Sequence, residues 1–348
     1  MYKEIDFIDL NNTYGGSHVF FISFIKAFDS EFHLKKFIRN KKLYEMVNNE
    51  HSIRLSSAKF ILIFQLIKWI VLQWITKNKK IIIFNGQHEI LLSFFLPRKH
   101  KIIAIRHSSF GILGDRKKIT HIIYLGVSQL FAYLVFVSKK TQKDYIALNG
   151  LAKTVSINNY LDDKWFSKSY PHSRHPSKIR IAIVGRVDQF KGHLMLLKAI
   201  ANIKNIELHI IGDGPEINKI KLYVAARKLK NIVYYGWQDN PIKIYKFMDI
   251  LAHPSESEGG LPYAVMEFMA LGKPIVASSM PQISQFVKDG VHGYLCPANE
   301  PQTWHMRILQ LVNNHSLRKK MGLNSKKMAF NNFSKGSFVQ AYQKILND

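Results

Sequence analysis

One cysteine, Cys296, stands in 348 residues. That excludes an intramolecular disulfide and with it a disulfide-stapled scaffold. No apolar segment follows Met1, whose next neighbours include Lys3, Glu4 and Asp6, so no secretory signal is expected and a reducing, cytosolic location follows. Acidic residues are scarce: 24 Asp+Glu against 50 Lys+Arg leave a formal net charge of +26, of which +17 falls in residues 1–180 and +9 in residues 181–348. Such a field favours an anionic partner, either nucleic acid or an anionic membrane surface. The basic residues are dispersed and no nucleic-acid-binding module accompanies them, so nucleic acid is not the expected partner. Hydrophobic residues make up 47% of the chain, which rules out a disordered one.

Long uninterrupted apolar runs are also few. Lys59 to Ile75 is broken by Gln65, Lys68 and Gln73, which suits a helix with an apolar face better than a membrane span. Ile119 to Ser138 lacks Asp, Glu, Lys and Arg, yet His121, Ser128 and Gln129 would sit in hydrocarbon at a cost. A helix to about Ala132 and a buried strand over Tyr133 to Val137 are expected instead. The basic residues around the first run, including Lys35, Lys36, Arg39, Arg54, Lys77 and Lys79, suit an anionic membrane surface.

What the chain does have is alternation. Strand-type segments at Ile5 to Leu10, Lys80 to Phe84 and Lys101 to Arg106 alternate with helical ones such as Val19 to Phe28. Residues 167–178 contain two prolines and no apolar run, so the interdomain linker is placed there, at 171–178, between domains at 1–170 and 179–334. The second half restarts the plan with strands Ile179 to Val184, Ile206 to Ile211, Ile232 to Tyr235 and Ile250 to His253. Lys191 to Ala201 and Pro215 to Leu229 are expected as helices between them. Ligands of such sheets bind beyond the carboxyl ends of the strands, where Gly185, Gly212, Gly236 and Pro254 fall.

Residues 256–278, ESEGGLPYAVMEFMALGKPIVAS, carry the densest signal. Gly259 and Gly260 can expose their amides, Pro262 suits a first helical turn, and Gly272 suits a left-handed cap before a strand at Ile275 to Ala277. A helix start of this kind attracts phosphate. Glu258 before it and Glu267 inside it are carboxylates able to accept hydrogen bonds from sugar or ribose hydroxyls, although taken alone the stretch equally suits a capped helix with solvated acids. GRVDQFKG at 185–192 adds Arg186 and Lys191 at a sheet edge, where two cations can neutralise a diphosphate.

GRVDQFKG, IIGDGPE at 210–216, YYGW at 234–237 and HPSESEGG followed by Glu267 occur in the order in which a sheet would gather them. With GGSH at 15–18, IRHSS at 105–109 and INNYLDDKWF at 157–166, the chain resembles the family 4 retaining glycosyltransferases, which include bacterial lipopolysaccharide, O-antigen and capsule sugar transferases. The resemblance implies an α/β fold of two doubly wound Rossmann-like domains facing each other across a cleft (GT-B), with a C-terminal helix in residues 335–348 crossing back to the first domain. It implies that Arg186 and Lys191 bind the donor phosphates, Glu267 the ribose, and Glu258 with the amides of Gly259, Gly260 and Leu261 the donor sugar. Gly15 and Gly16 would let a first-domain loop approach the diphosphate and His107 would reach the donor sugar, with His88 as its competitor. Gly185 and Gly212 would lie beside the donor, and side chains around Trp237 and His107 would set base and hexose identity. The family's two glutamates are separated by seven residues, whereas eight separate Glu258 from Glu267 here, so the insertion falls at Gly259 or Gly260 and Glu256 competes for the role of Glu258.

The implied function is transfer of a hexose from a nucleotide diphosphate sugar, a UDP-sugar ahead of a GDP-sugar, to a glycan or lipid-linked glycan acceptor. No Asp-x-Asp pair occurs, so no metal clamp and no cofactor are expected. A nucleotide-sugar epimerase or phosphorylase of the same architecture and a basic nucleic-acid-binding protein are the alternatives.

Overall fold

The structure is a computed structural model and describes residues 4–11, 16–86, 89–107, 125–148, 150–166 and 178–348. It divides into two units, residues 1–160 with 335–348 and residues 161–334.

In the first unit a sheet of seven parallel strands has the order β3-β2-β1-β4-β5-β6-β7. The strands are β1 (Glu4–Asp9), β2 (His33–Ile38), β3 (Ser52–Arg54), β4 (Ile81–Phe84), β5 (Lys101–Arg106), β6 (Tyr133–Phe136) and β7 (Thr154–Ser156). Alternation along β1 and β4 separates two cores, because successive side chains of a strand point to opposite faces. Ile5, Phe7, Ile81 and Ile83 join one, which includes Phe20, Phe21 and Phe24 of the helix Gly16–Phe28 and Phe338 and Tyr342 of the helix Lys335–Asn347. Ile8, Ile82 and Phe84 join the other with Leu62 and Trp69 of the helix Lys59–Ile75.

That last helix is anchored by polar contacts as well. Trp69 Nε1 donates to buried Asp6 Oδ2 at 3.0 Å and Gln73 Nε2 to the same oxygen at 3.3 Å. Its outer side is apolar too: Phe60, Ile61, Ile63, Phe64, Ile67, Val71, Leu72, Trp74 and Ile75 are exposed, Phe60 by 89%. Leu91, Phe94 and Phe95 of the adjoining 3-10 segment Glu89–Phe95 are exposed as well, and Trp74 Nε1 donates to the Phe95 carbonyl at 2.8 Å. Among the described residues no helix is long and apolar enough to cross a membrane.

The second unit holds six parallel strands in the order β10-β9-β8-β11-β12-β13: β8 (Ile179–Val184), β9 (Ile206–Ile211), β10 (Ile232–Gly236), β11 (Ile250–His253), β12 (Ile275–Ser278) and β13 (Gly293–Cys296). Cys296 is buried at the end of β13, and that burial pushes its thiol up to about 12, so it is inert.

Several expectations need correction. The division falls after residue 160 rather than 170, because Leu161 and Trp165 pack into the core of the second unit with Tyr245, Phe268 and Phe333. The helix expected over 191–201 starts only at His193 and runs to Ile200, since Gly192 adopts φ +70° between it and a 3-10 turn at Gln189–Lys191. The helix expected from Leu261 or Pro262 is Tyr263–Ala270, with Pro262 extended at its N-cap. Gly272 does take φ +72° beyond its end. The linker residues 171–177, Gly15, His88 and residues 119–124 of the helix expected before Ala132 lie outside the described residues.

Candidate functional site

In the second sheet the chain places β9 and β10 to one side of β8, then crosses to place β11 on the other. This reversal is a topological switch point, where the loops leaving two neighbouring strands diverge and open a crevice beyond their carboxyl ends. The two loops here are residues 185–192 after β8 and 254–262 after β11. They are tied together by backbone, for the Glu256 amide donates to the Phe190 carbonyl at 2.8 Å. They also approach closely: a Cβ on Gly192 would come within 2.3 Å of the Pro254 carbonyl oxygen. Gly212, after β9, has φ +142°, and a Cβ there would meet the Gly185 carbonyl at 1.9 Å.

At this junction Lys191 Nζ donates to Glu258 Oε1 at 2.5 Å, and His253 Nε2 lies 3.0 Å from the same oxygen. Burial raises the Glu258 carboxyl, but the hydrogen bond and charge of His253, followed by those of Lys191, outweigh it and hold the group at about 2. Glu258 is therefore an anion at neutral pH. Its backbone carbonyl accepts from Gln282 Nε2 at 2.8 Å, which fixes the loop from the β12 side. Glu256 is exposed, so of the two competing acids Glu258 is the one that touches Lys191. The amides of Gly259, Gly260 and Leu261 donate to no carbonyl or side chain among the described residues.

Arg186 leaves the end of β8 half-exposed, with Nε 4.0 Å from Asp188 Oδ2. Asp188 itself accepts from the Phe190 amide at 3.0 Å and so shapes the turn that presents Lys191. Glu267 lies on the helix Tyr263–Ala270, partly open at its surface but enclosed by protein on its other sides. That enclosure pushes its carboxyl up to about 8 against the opposing charge of Lys164. It is thus mostly a neutral acid at pH 7, able to donate as well as accept. Trp237 follows β10, half-exposed, with its indole N–H donating to Asp239 Oδ1 at 2.9 Å.

The remaining expected residues belong to the first unit. Gly16 is the exposed first residue of the helix Gly16–Phe28. His107 follows β5, its Nε2 2.8 Å from Asn85 Oδ1.

His253 and His193 carry no role in the sequence reading. The only local sign of His253 is its place before Pro254 at a strand end, and its contact with Glu258 depends on the return of the loop. His193, buried at the start of the helix His193–Ile200, has no partner for either ring nitrogen among the described residues. Burial, then the neighbouring His253 and the Lys191 ammonium, lower it to about 4. The junction thus brings the Lys191 ammonium, a histidine and one partly buried carboxylate beside amides that have no partner among the described residues, a combination able to hold phosphate groups beside a hydroxyl-bearing ligand.

Residues 168–328 match the family described as glycosyl transferases group 1. An uncharacterized glycosyltransferase of Methanocaldococcus jannaschii is 28% identical over 273 residues, covering 71% of this chain and 68% of its own length. A lipopolysaccharide core biosynthesis glycosyltransferase of Rhizobium meliloti is 26% identical over 164 residues, 47% of this chain and 48% of its own. Among solved structures, the Anabaena protein HepE in complex with UDP-glucose superposes with a TM-score of 0.85 at 17% identity, over 99% of both chains.

Proposed function

We propose, for a chain whose residues 168–328 match the family described as glycosyl transferases group 1 and whose fold is GT-B, that it transfers a hexose from a nucleotide diphosphate sugar to a hydroxyl of a glycan acceptor, with retention at the anomeric carbon. The observation that carries this reading is the meeting of Lys191, Glu258 and His253 at the switch point of the second sheet, beside the unused amides of Gly259 to Leu261. Departure of the nucleoside diphosphate is the hard step. Arg186, Lys191 and those amides are preorganised donors that would stabilise the charge developing on it. With two cations available and no Asp-x-Asp pair in the sequence, the reaction is assigned as metal-independent. Glu258, an anion fixed by His253, would hold a hydroxyl of the donor sugar, and Glu267 would hold the ribose hydroxyls.

A UDP-sugar is favoured as donor, supported by the UDP-glucose bound to HepE. The acceptor is assigned as a lipid-linked glycan of bacterial surface polysaccharide synthesis, with the protein peripheral on the inner face of the plasma membrane. The observation favouring this is the apolar outer side of the helix Lys59–Ile75. No acidic residue occurs between Glu50 and Glu89, while Arg54, Lys59, Lys68, Lys77 and Lys79 are basic. An apolar face framed by cations suits the boundary of an anionic bilayer.

A mass-spectrometric screen of nucleotide sugars for slow donor hydrolysis tests the central claim. Release of nucleoside diphosphate by the protein and not by a Lys191→Ala variant supports it. Equal release by both, or turnover only with inorganic phosphate, would replace it.

A further inference from the structure

The two cations at the junction of the second unit are engaged differently. Arg186 is half-exposed and faces Asp188 of its own loop at 4.0 Å, whereas Lys191 reaches across to Glu258 on the other loop. The Lys191 and Glu258 side chains are 23% and 13% exposed, so water screens their bond far less than that of an open surface pair.

The partners of this pair are not held alike. An ionised carboxylate can only accept, so His253 Nε2, 3.0 Å from Glu258 Oε1, donates to the oxygen that Lys191 also uses. His253 is itself buried at the end of β11. The Glu258 carbonyl accepts from Gln282 Nε2 at 2.8 Å, and Ser255 Oγ donates to the Ser257 carbonyl at 3.1 Å within the same loop. These contacts keep the carboxylate in place whether or not Lys191 is bonded to it. Lys191 carries its ammonium on a flexible four-carbon stem with three rotatable donors. Glu258 is the fixed partner and Lys191 the mobile one.

Carboxylate and phosphate oxygens are equivalent acceptors for an ammonium group. Bonded to Glu258, Lys191 already holds an anion of the kind that a diphosphate brings, and a diphosphate must displace it. When Lys191 turns to the phosphate, Glu258 Oε1 loses one of its two donors and can accept from a sugar hydroxyl instead. An intact nucleotide sugar makes both exchanges. A nucleoside diphosphate, lacking the sugar, makes only the first. We propose that Glu258 is a built-in competitor for Lys191, which weakens the hold on the nucleoside diphosphate product relative to the intact donor and so promotes product release. That the displacing anion is this product rests on the proposed glycosyl transfer, whereas displacement of Glu258 by phosphate groups does not.

Inorganic pyrophosphate tests the displacement without involving nucleoside or sugar. Carbon NMR of the full chain with carboxyl-labelled glutamate, in which Glu258→Gln assigns the signal, follows the carboxylate in the unaltered protein. Saturating pyrophosphate should move that signal to the position it takes in Lys191→Met; a signal that stays in place overturns the competition. By calorimetry, Glu258→Gln should bind pyrophosphate roughly three- to tenfold more tightly, because Lys191 is no longer taken up by an internal anion. The gain should vanish in the Lys191→Met background. An equal gain there would mean plain repulsion between Glu258 and the anion, and no gain in Glu258→Gln alone would equally overturn the competition while leaving the transferase reading untouched. For the donor found in the hydrolysis screen, Glu258→Gln should tighten its nucleoside diphosphate and not the nucleotide sugar, which loses its hydroxyl contact in that variant. Equal tightening of both would overturn the selective release. A protein in which pyrophosphate displaces Glu258 but no nucleotide sugar is hydrolysed would instead sink the transferase reading and leave the competition standing.

Discussion

Lys191 and Glu258, 67 residues apart in the chain, share a 2.5 Å hydrogen bond that ties the loop after β8 to the loop after β11. The cation expected to bind phosphate is thus held by the carboxylate expected to bind sugar. A diphosphate entering the junction would compete with Glu258 for Lys191, so binding and loop geometry are coupled.

Removal of either cation should be far more damaging to turnover than to stability. For Arg186→Ala and Lys191→Ala we expect kcat/KM to fall by about 10²–10³, the scale of one lost electrostatic donor. The Arg186 variant should melt close to the unaltered protein, since a half-exposed contact at 4.0 Å from Asp188 is worth less than about 1 kcal/mol. Steady-state donor turnover and circular-dichroism melting check both.

His253→Ala should shift the acid limb of stability. The Glu258 carboxyl is depressed in the folded state, so its contribution is complete above its unfolded value of about 4.3 and is lost as pH falls through about 2. Without His253 the folded value rises toward the unfolded one, so the contribution is smaller and its loss is complete at higher pH. Urea denaturation from pH 6 to pH 2 would show the two proteins converging as pH falls through that window; parallel curves would mean that His253 does not hold the charge.

Glu267 has the opposite sign. Its folded value is raised to about 8, so the folded state retains a proton that the unfolded chain releases at about 4.3, and stability declines as pH rises between the two. Glu267→Gln should flatten that decline and raise Tm at pH 8 more than at pH 5. It should also raise KM for the donor, because a neutral amide presents different donors and acceptors to the ribose hydroxyls.

Flotation with vesicles tests the outer face of the helix Lys59–Ile75. The unaltered protein should float with anionic vesicles and do so less at high salt, while Phe60→Ser/Phe64→Ser should remain with the soluble fraction. Two aromatic side chains buried in a bilayer are worth about 1.5–3 kcal/mol each, enough for at least a tenfold change in partition. Equal behaviour of the unaltered protein on neutral and anionic vesicles would argue for a soluble acceptor.

Gly212→Ala should lower stability by about 2 kcal/mol or more, through strain at φ +142° and a contact with the Gly185 carbonyl. Gly336→Ala, in the helix Lys335–Asn347 with open space around it, should be neutral or stabilising. Thermal melting of the pair separates the two effects.

The strands legible in the sequence were those with unbroken apolar runs. Ile179 to Val184, Ile206 to Ile211 and Lys101 to Arg106 coincide with β8, β9 and β5. β2 escaped notice because HLKKFI places two lysines in its middle, and its Lys36 is buried only by virtue of an ion pair with Asp29 at 3.1 Å. β3 and β7, three residues each at the sheet edges, are too short to show a period.

By itself the sequence determined the backbone plan, including the glycine-ended strands, the stop at Gly272 and the position of the helix Lys59–Ile75, because periodicity and glycine act on neighbouring residues. Only the tertiary structure decided the charge states and partners: Glu258 ionised between Lys191 and His253, Glu267 mostly neutral, and His107 facing Asn85. It also decided that the outer side of an apolar helix stays uncovered. Desolvation and ion pairing depend on which distant segments enclose a group, and local pattern carries no record of that.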